Sequence, residues 1–214
     1  MYYIFKLLAM FRGARALHPR GYLYSGTIIF EDKLVADIYE LDKKYPAKVR
    51  LSRGVGLPGF IPDIQGMAIR IENGDSIQDW LLAIGGQGRL TKYTLHLSRY
   101  INTYYYTSCF PYRLNGKTVL LGAKFIQKAP VHSTKKGLRS FEDFSCDLLV
   151  AKTFGLWHKV GTLHLDRVLS AEESQAISYN PWNTVPQLRP TTWLNQVRHD
   201  SYKGSRDGRN ESGR

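Results

Sequence analysis

Arg198 and Tyr202 stand four residues apart in a stretch where Trp193, Leu194 and Val197 keep helical spacing, so one helix face would present both. A guanidinium beside a phenol can hydrogen-bond the oxygen and favour its anion. An isolated tyrosine ionises only near pH ~10, so a phenolate at neutral pH needs such a cation, or a ferric ion, to lower that value. A tyrosinate is in turn a hard anionic ligand suited to ferric iron. On spacing alone the pair is also an ordinary surface contact, so its meaning depends on what else the chain supplies.

Other chemistry is thinly represented. Gly54-Val-Gly56-Leu-Pro-Gly59 has the form G-x-G-x-x-G and follows an extended run. A dinucleotide site needs a helix opening behind the glycines to hold the pyrophosphate, and Pro58 and Pro62 forbid one there. What remains is a loop, or a place where backbone approaches something bulky. The six histidines include no His-x-x-x-His pair, which argues against a zinc hydrolase. No G-x-S-x-G elbow and no Walker lysine is present. Tyr104-Tyr105-Tyr106 could stack on bases, but aromatic runs are equally strand material.

The chain carries 30 Lys and Arg against 18 Asp and Glu, a net charge of +12, which calls for an anionic partner or ligand. The basic residues are spread along the sequence rather than gathered in one stripe, so no nucleic-acid partner is expected. Two cysteines, Cys109 and Cys146, rule out a disulfide framework and a thiol-based zinc cluster, and point to a reducing compartment, the cytoplasm.

The elements that must position these residues are mostly strands. Within residues 1–16, Ile4, Leu7, Leu8 and Phe11 predict a short amphipathic helix, too short to span a bilayer. Its apolar face leaves membrane-surface association as a lesser expectation. Extended runs follow: Tyr22 to Phe30, a hairpin partner from Leu34 to Leu41, Ala47 to Ser52, Met67 to Glu72, Trp80 to Ile84, Thr118 to Ile126, Leu148 to Lys152 and Lys159 to Asp166. About eight strands with short connections predict an antiparallel barrel or sandwich. Ser170 and Glu173 form a capping box for a helix of about two turns. Prolines 181, 186 and 190 then keep the chain extended, and residues 191–209 hold the last helix and the segment behind it. The expectation is one domain over 1–214, mainly β with a few short helices (α+β), the helices at both ends.

With these elements in order, the chain resembles the catalase superfamily, in its minimal, single-domain haem proteins. The resemblance rests on Arg15-Ala-Leu-His18-Pro-Arg-Gly21, on Val49-Arg50-Leu-Ser52, on Asp63-Ile-Gln-Gly66-Met-Ala-Ile-Arg70, and on Tyr179-Asn-Pro-Trp-Asn-Thr-Val185 with Pro190 leading to Arg198-His-Asp-Ser-Tyr202, Ser205 and Arg209. It spans roughly residues 12 to 209. It implies a catalase-type β-barrel and haem b, with Tyr202 as the iron ligand and Arg198 as its phenolate partner. His18 would be the distal base, Ser52 would orient its ring, and Arg15, Arg50 and Arg209 would hold the propionates. Asp63 matches an acidic residue lining the access channel. Forked arginine donors suit two partly buried carboxylates.

Two departures shape the expected activity. Where the family has a distal asparagine, this chain has Ala83 or Ile84, neither of which can hydrogen-bond a peroxide through its side chain. The chain is also less than half the length of typical catalases and lacks their arm and wrapping segments, so a monomer or homodimer is expected. The resemblance with these departures implies a haem peroxidase that takes a small-molecule peroxide, preferably an organic hydroperoxide, and an organic electron donor, with weak catalase activity. A fatty-acid hydroperoxide isomerase or dehydratase is the near alternative. A non-catalytic haem- or lipid-binding barrel and a nucleic-acid-binding β protein are alternatives of other classes.

Overall fold

A computed structural model of the chain describes residues 20–56, 58, 61–170, 173 and 177–191. The fold is mainly β. In chain order the strands are β1 (Arg20–Phe30), β2 (Lys44–Arg53), β3 (Gln65–Asn73), β4 (Ser76–Gly85), β5 (Tyr105–Thr107), β6 (Tyr112–Leu114), β7 (Lys117–Phe125), β8 (Ser145–Lys152), β9 (His158–Val168) and β10 (Leu188–Pro190). One four-residue helix, α1 (Lys135–Leu138), lies before β8. Among the described residues, eight strands close an antiparallel barrel in the order β1-β2-β3-β4-β5-β7-β8-β9, and β9 returns to β1. The hairpin strand β6 extends β7's sheet outside the ring, and β10 adds to β6.

Period-two alternation decides which side chains fill the barrel. Tyr24, Ile28 and Phe30 of β1 point inward, with Val49 and Leu51 of β2, Ile69 of β3, Trp80 of β4, Leu121 of β7 and Leu163 of β9, and all are fully buried. The two ends are closed by short inserts. Phe30 stacks on Tyr39 at 3.9 Å between ring centroids, and Tyr39 donates its hydroxyl hydrogen to Gln78. At the other end Leu138 and Phe141 fit beneath Phe125 and Phe144, and the Tyr24 hydroxyl donates to the Leu138 carbonyl. Among the described residues the interior is therefore a packed core of side chains.

The strand expected over Leu34 to Leu41 does not form. Asp32 accepts from the Leu34 N–H at 2.7 Å and starts a 3-10 turn at Lys33–Val35, and the Tyr39 N–H reaches the Val35 carbonyl at 2.9 Å. Val35 and Tyr39, four apart, thus enter the core together. The hairpin partner of β1 is β2, starting ten residues later in register Ile29↔Lys44. The capping box is present: Ser170 N–H donates to Glu173 Oε2 at 2.8 Å and Glu173 N–H to Ser170 Oγ at 3.2 Å. The expected N-terminal helix in 1–16 and the C-terminal helix in 191–209 fall outside the described residues, apart from residue 191. No helix among the described residues is long and apolar enough to cross a membrane.

Candidate functional site

Four neighbouring strands present their outward side chains in rows. Strand register aligns Gly21, Ser52, Gly66 and Ala83 across β1-β2-β3-β4. The next row is Leu23, Arg50, Ala68 and Leu81, and the third is Ser25, Lys48, Arg70 and Asp79. The first row carries nothing larger than a methyl or a hydroxymethyl group. It forms a floor of small side chains on the outer wall, of which Ser52 and Gly66 are buried. The β1–β2 approach beneath it is tight: a Cβ on Gly21 would lie 2.6 Å from the Leu51 carbonyl oxygen and 2.7 Å from Ser52 Cβ. Ser52, though outward, is buried, and its Oγ lies 3.4 Å from the Gly66 carbonyl oxygen.

Ala83 is the outward residue of the Ala83–Ile84 pair, in register with Gly66, whereas Ile84 is fully buried. The outward position of the pair therefore presents a methyl. Arg50 is outward, half-buried, and one row from the floor between Leu23 and Ala68. Strand β2 thus brings Arg50 and Ser52 to one face, as their spacing of two requires. His18, Arg15, Arg198, Tyr202 and Arg209 lie outside the described residues.

The third row moors the chain that leads toward the C-terminus. Asp79 is 0% exposed. Its carboxylate accepts from Arg70 Nε at 2.8 Å and Arg70 Nη2 at 2.7 Å, a forked pair across β3 and β4. It also accepts from the Asn180 N–H at 2.8 Å and Asn183 Nδ2 at 2.9 Å, while its own N–H donates to the Asn183 carbonyl at 2.9 Å. Arg70 donates further to the Ser178 carbonyl and lies over the Tyr179 ring, whose hydroxyl donates to the Lys48 carbonyl at 2.9 Å. Hydrogen bonding to Asp79 raises the Arg70 pKa further. Ile177 and Tyr179 then cover Leu23, Ala68 and Leu81 of the second row. Residues 177–183 are therefore fastened over the second and third rows.

Sequence reasoning assigned no role to Arg70 and Asp79. The signal was available: the turn at Gly74 and Asp75 pairs Asn73 with Ser76, and counting back from it sets Arg70 opposite Asp79.

The glycine-rich loop after β2 is braced from within. Arg53 continues the inward alternation of Val49 and Leu51 and is buried. It donates to the Ser133 side chain and carbonyl, to the Pro58 carbonyl at 3.1 Å and to the Ile61 carbonyl at 2.7 Å, and pairs with Asp63 at 3.4 Å. Asp63 accepts from the backbone of Val55, Gly56 and Ile64 at 3.0, 2.9 and 2.7 Å. Gly56 has φ of 77°, a conformation that favours glycine. No helix follows these glycines among the described residues. Asp63, expected to line an access channel, is instead fully buried, with its oxygens directed to backbone amides. Its work is to shape the loop.

His158 and His164 lie on the outside of β9, where His158 Nε2 meets Asp32 at 2.8 Å and His164 Nδ1 meets Ser145 Oγ at 3.0 Å. No group of three His, Cys, Asp or Glu able to hold a metal is found among the described residues. No family model matches the chain, and no curated protein matches it.

Proposed function

We propose that this chain is a catalase-like haem protein that reduces hydroperoxides, organic ones in preference, at the expense of an organic electron donor. The observation that carries the reading is the outward floor of Gly21, Ser52, Gly66 and Ala83 with Arg50 one row away. A floor of small side chains flanked by a guanidinium suits a flat, largely apolar group with carboxylates at its edge. The described residues therefore fit haem b. Bound there, the haem would supply a redox-active ferric iron able to break a peroxide O–O bond.

The chain's own residues would do the rest. Tyr202 would hold the iron through its phenolate oxygen, and Arg198 would keep that oxygen anionic by hydrogen bonding. Arg15, Arg50 and Arg209 would bind the propionates. A ring nitrogen of His18 would take the hydroperoxide proton and return it to the leaving oxygen, with Ser52 Oγ setting the ring. Ala83 would offer a methyl where a second hydrogen peroxide would need a hydrogen-bond donor, which disfavours dismutation and admits an alkyl group.

The test is the absorption spectrum of the full chain titrated with hemin, followed by turnover with an alkyl hydroperoxide and a reducing dye. A Soret band that Tyr202→Phe shifts, with dye oxidation exceeding oxygen release, supports the reading. A rearranged oxide without dye oxidation would favour the isomerase. Haem retained with no turnover, and His18→Ala without effect, would favour a carrier. No Soret band at all removes the proposal.

A further inference from the structure

On the opposite wall of the barrel, the connection between β8 and β9 holds two large apolar side chains in water. Phe154 is 66% exposed and Leu156 is 70% exposed. They alternate with Gly155 and Trp157, so one short loop turns two apolar groups outward while Trp157 folds back. Trp157 packs over Gly122 of β7, where a Cβ would lie 2.7 Å from the indole, and lies parallel to Tyr105.

The loop is held in this shape. Lys92, fully buried, donates from Nζ to the Lys152 carbonyl at 2.7 Å and the Gly155 carbonyl at 2.8 Å. Tyr93 donates its hydroxyl hydrogen to the Thr153 carbonyl at 2.7 Å, and the Gly155 N–H reaches the Lys152 carbonyl at 3.0 Å. A loop tied through three carbonyls cannot bury Phe154 and Leu156 by collapsing onto the barrel. Their exposure is built into the loop, and two such side chains held side by side in water offer a surface for an occupant from outside.

The surroundings say which occupant. Phe154 borders an open groove lined by Lys117, Thr118, Lys152 and Thr153. Neither lysine forms an ion pair among the described residues. Among the described residues no acid lines the groove beside them, and Glu31 and Asp32 pair instead with Lys159 and His158. Two apolar residues beside unpaired lysines, on a chain of net charge +12, complement a surface that is anionic outside and apolar just beneath. Trp157, Tyr93 and Tyr105, half-buried around the loop, are the side chains that favour a headgroup layer. A second copy of the chain fits less well. Even counted on both copies, these two partly exposed side chains fall short of the ~1,200 Å² or more that a stable pair buries in total.

We propose that residues 153–157 form a membrane-docking tip, which seats Phe154 and Leu156 in the interfacial layer of an anionic phospholipid bilayer with Lys117 and Lys152 on the headgroup phosphates. The proposal is independent of the haem reading and of the apolar segment near the N-terminus.

The experiment is co-sedimentation of the full chain with vesicles of phosphatidylserine in phosphatidylcholine, and of phosphatidylcholine alone. The wild-type chain should pellet with the anionic vesicles, and added salt should weaken this. The double variant Phe154→Ser, Leu156→Ser should bind at least tenfold more weakly with unchanged thermal unfolding, and Lys117→Glu with Lys152→Glu should lose the anionic preference. Ile126→Ser, an exposed apolar residue at the far end of β7, should bind as wild type. Equal binding by wild type and the Phe154/Leu156 variant would overturn the proposal. So would no binding by wild type, or a loop variant whose sole effect is to turn a dimer into a monomer without lipid.

Discussion

At the scale of single residues, one carboxylate fastens the outer rows and one methyl bears on the proposed reaction. Asp79 accepts four hydrogen bonds, and two of them come from a guanidinium. Asp79→Asn keeps the shape and removes the charge, leaving a mostly buried arginine without its counter-ion. Breaking such a pair costs on the order of 3 kcal/mol, which urea unfolding would register as a lower midpoint at unchanged slope. Ala83 tests the reaction instead. Ala83→Asn places an amide on the outward row beside Gly66. With hemin bound, oxygen release from hydrogen peroxide should rise by an order of magnitude or more over wild type, the scale of a single well-placed donor. An unchanged ratio of oxygen release to dye oxidation would remove Ala83 from the proposed site. Alternation made the face of Arg50 and Ser52 legible before any coordinates, because Val49 and Leu51 claim the interior. The same alternation carries Arg53 inward, yet an arginine at the end of an apolar run reads as surface. The burial of Asp63 is hidden for a related reason: sequence shows a carboxylate beside prolines and glycines, but not the three amides folded back onto it.

At the scale of elements, long strands were legible and short ones were not. β1, β2, β3, β4, β7, β8 and β9 each run eight residues or more, so their period is visible. β5, β6 and β10 have three residues each and owe their pairing to neighbours, which no local pattern records. The segment from Leu34 to Leu41 suits either period over so few residues, and Asp32 tips it to a turn by capping Leu34. Two variants probe elements directly. Gly21→Ala puts a methyl against the Leu51 carbonyl and Ser52, both part of β2, so β1 and β2 must part. The expected cost is about 1–3 kcal/mol in thermal or urea unfolding, with weaker hemin binding if the floor is the site. Asp63→Ala removes the carboxylate that accepts from three backbone N–H groups, and with it the partner of Arg53. Hydrogen exchange should quicken at Val55, Gly56 and Ile64 well before it does in β2 and β3. Uniform exchange would show that the loop holds without its carboxylate.

At the scale of the whole molecule, a core built from tyrosines makes stability depend on alkaline pH. Burial pushes the Tyr24 phenol up to about 12, and burial likewise raises Tyr39, Tyr93, Tyr106 and the Cys146 thiol. In each case the unfolded chain gives up its proton first. The stability these groups contribute is complete below their unfolded values and drains away as pH rises toward the folded ones. Lys92 works in the opposite sense, since burial lowers its pKa and stability is gained as pH approaches the unfolded lysine value, but it is one group against five. Unfolding should therefore set in above about pH 10, with tyrosinate absorbance and loss of β-sheet circular dichroism moving together. Tyr24→Phe sharpens the expectation. It forfeits the hydrogen bond to the Leu138 carbonyl and so is less stable than wild type at neutral pH, yet its urea midpoint should fall less between neutral pH and about pH 11. A wild-type chain whose tyrosines titrate near their ordinary value while the sheet signal stays intact would mean that the phenols reach solvent without unfolding, contrary to a packed barrel interior.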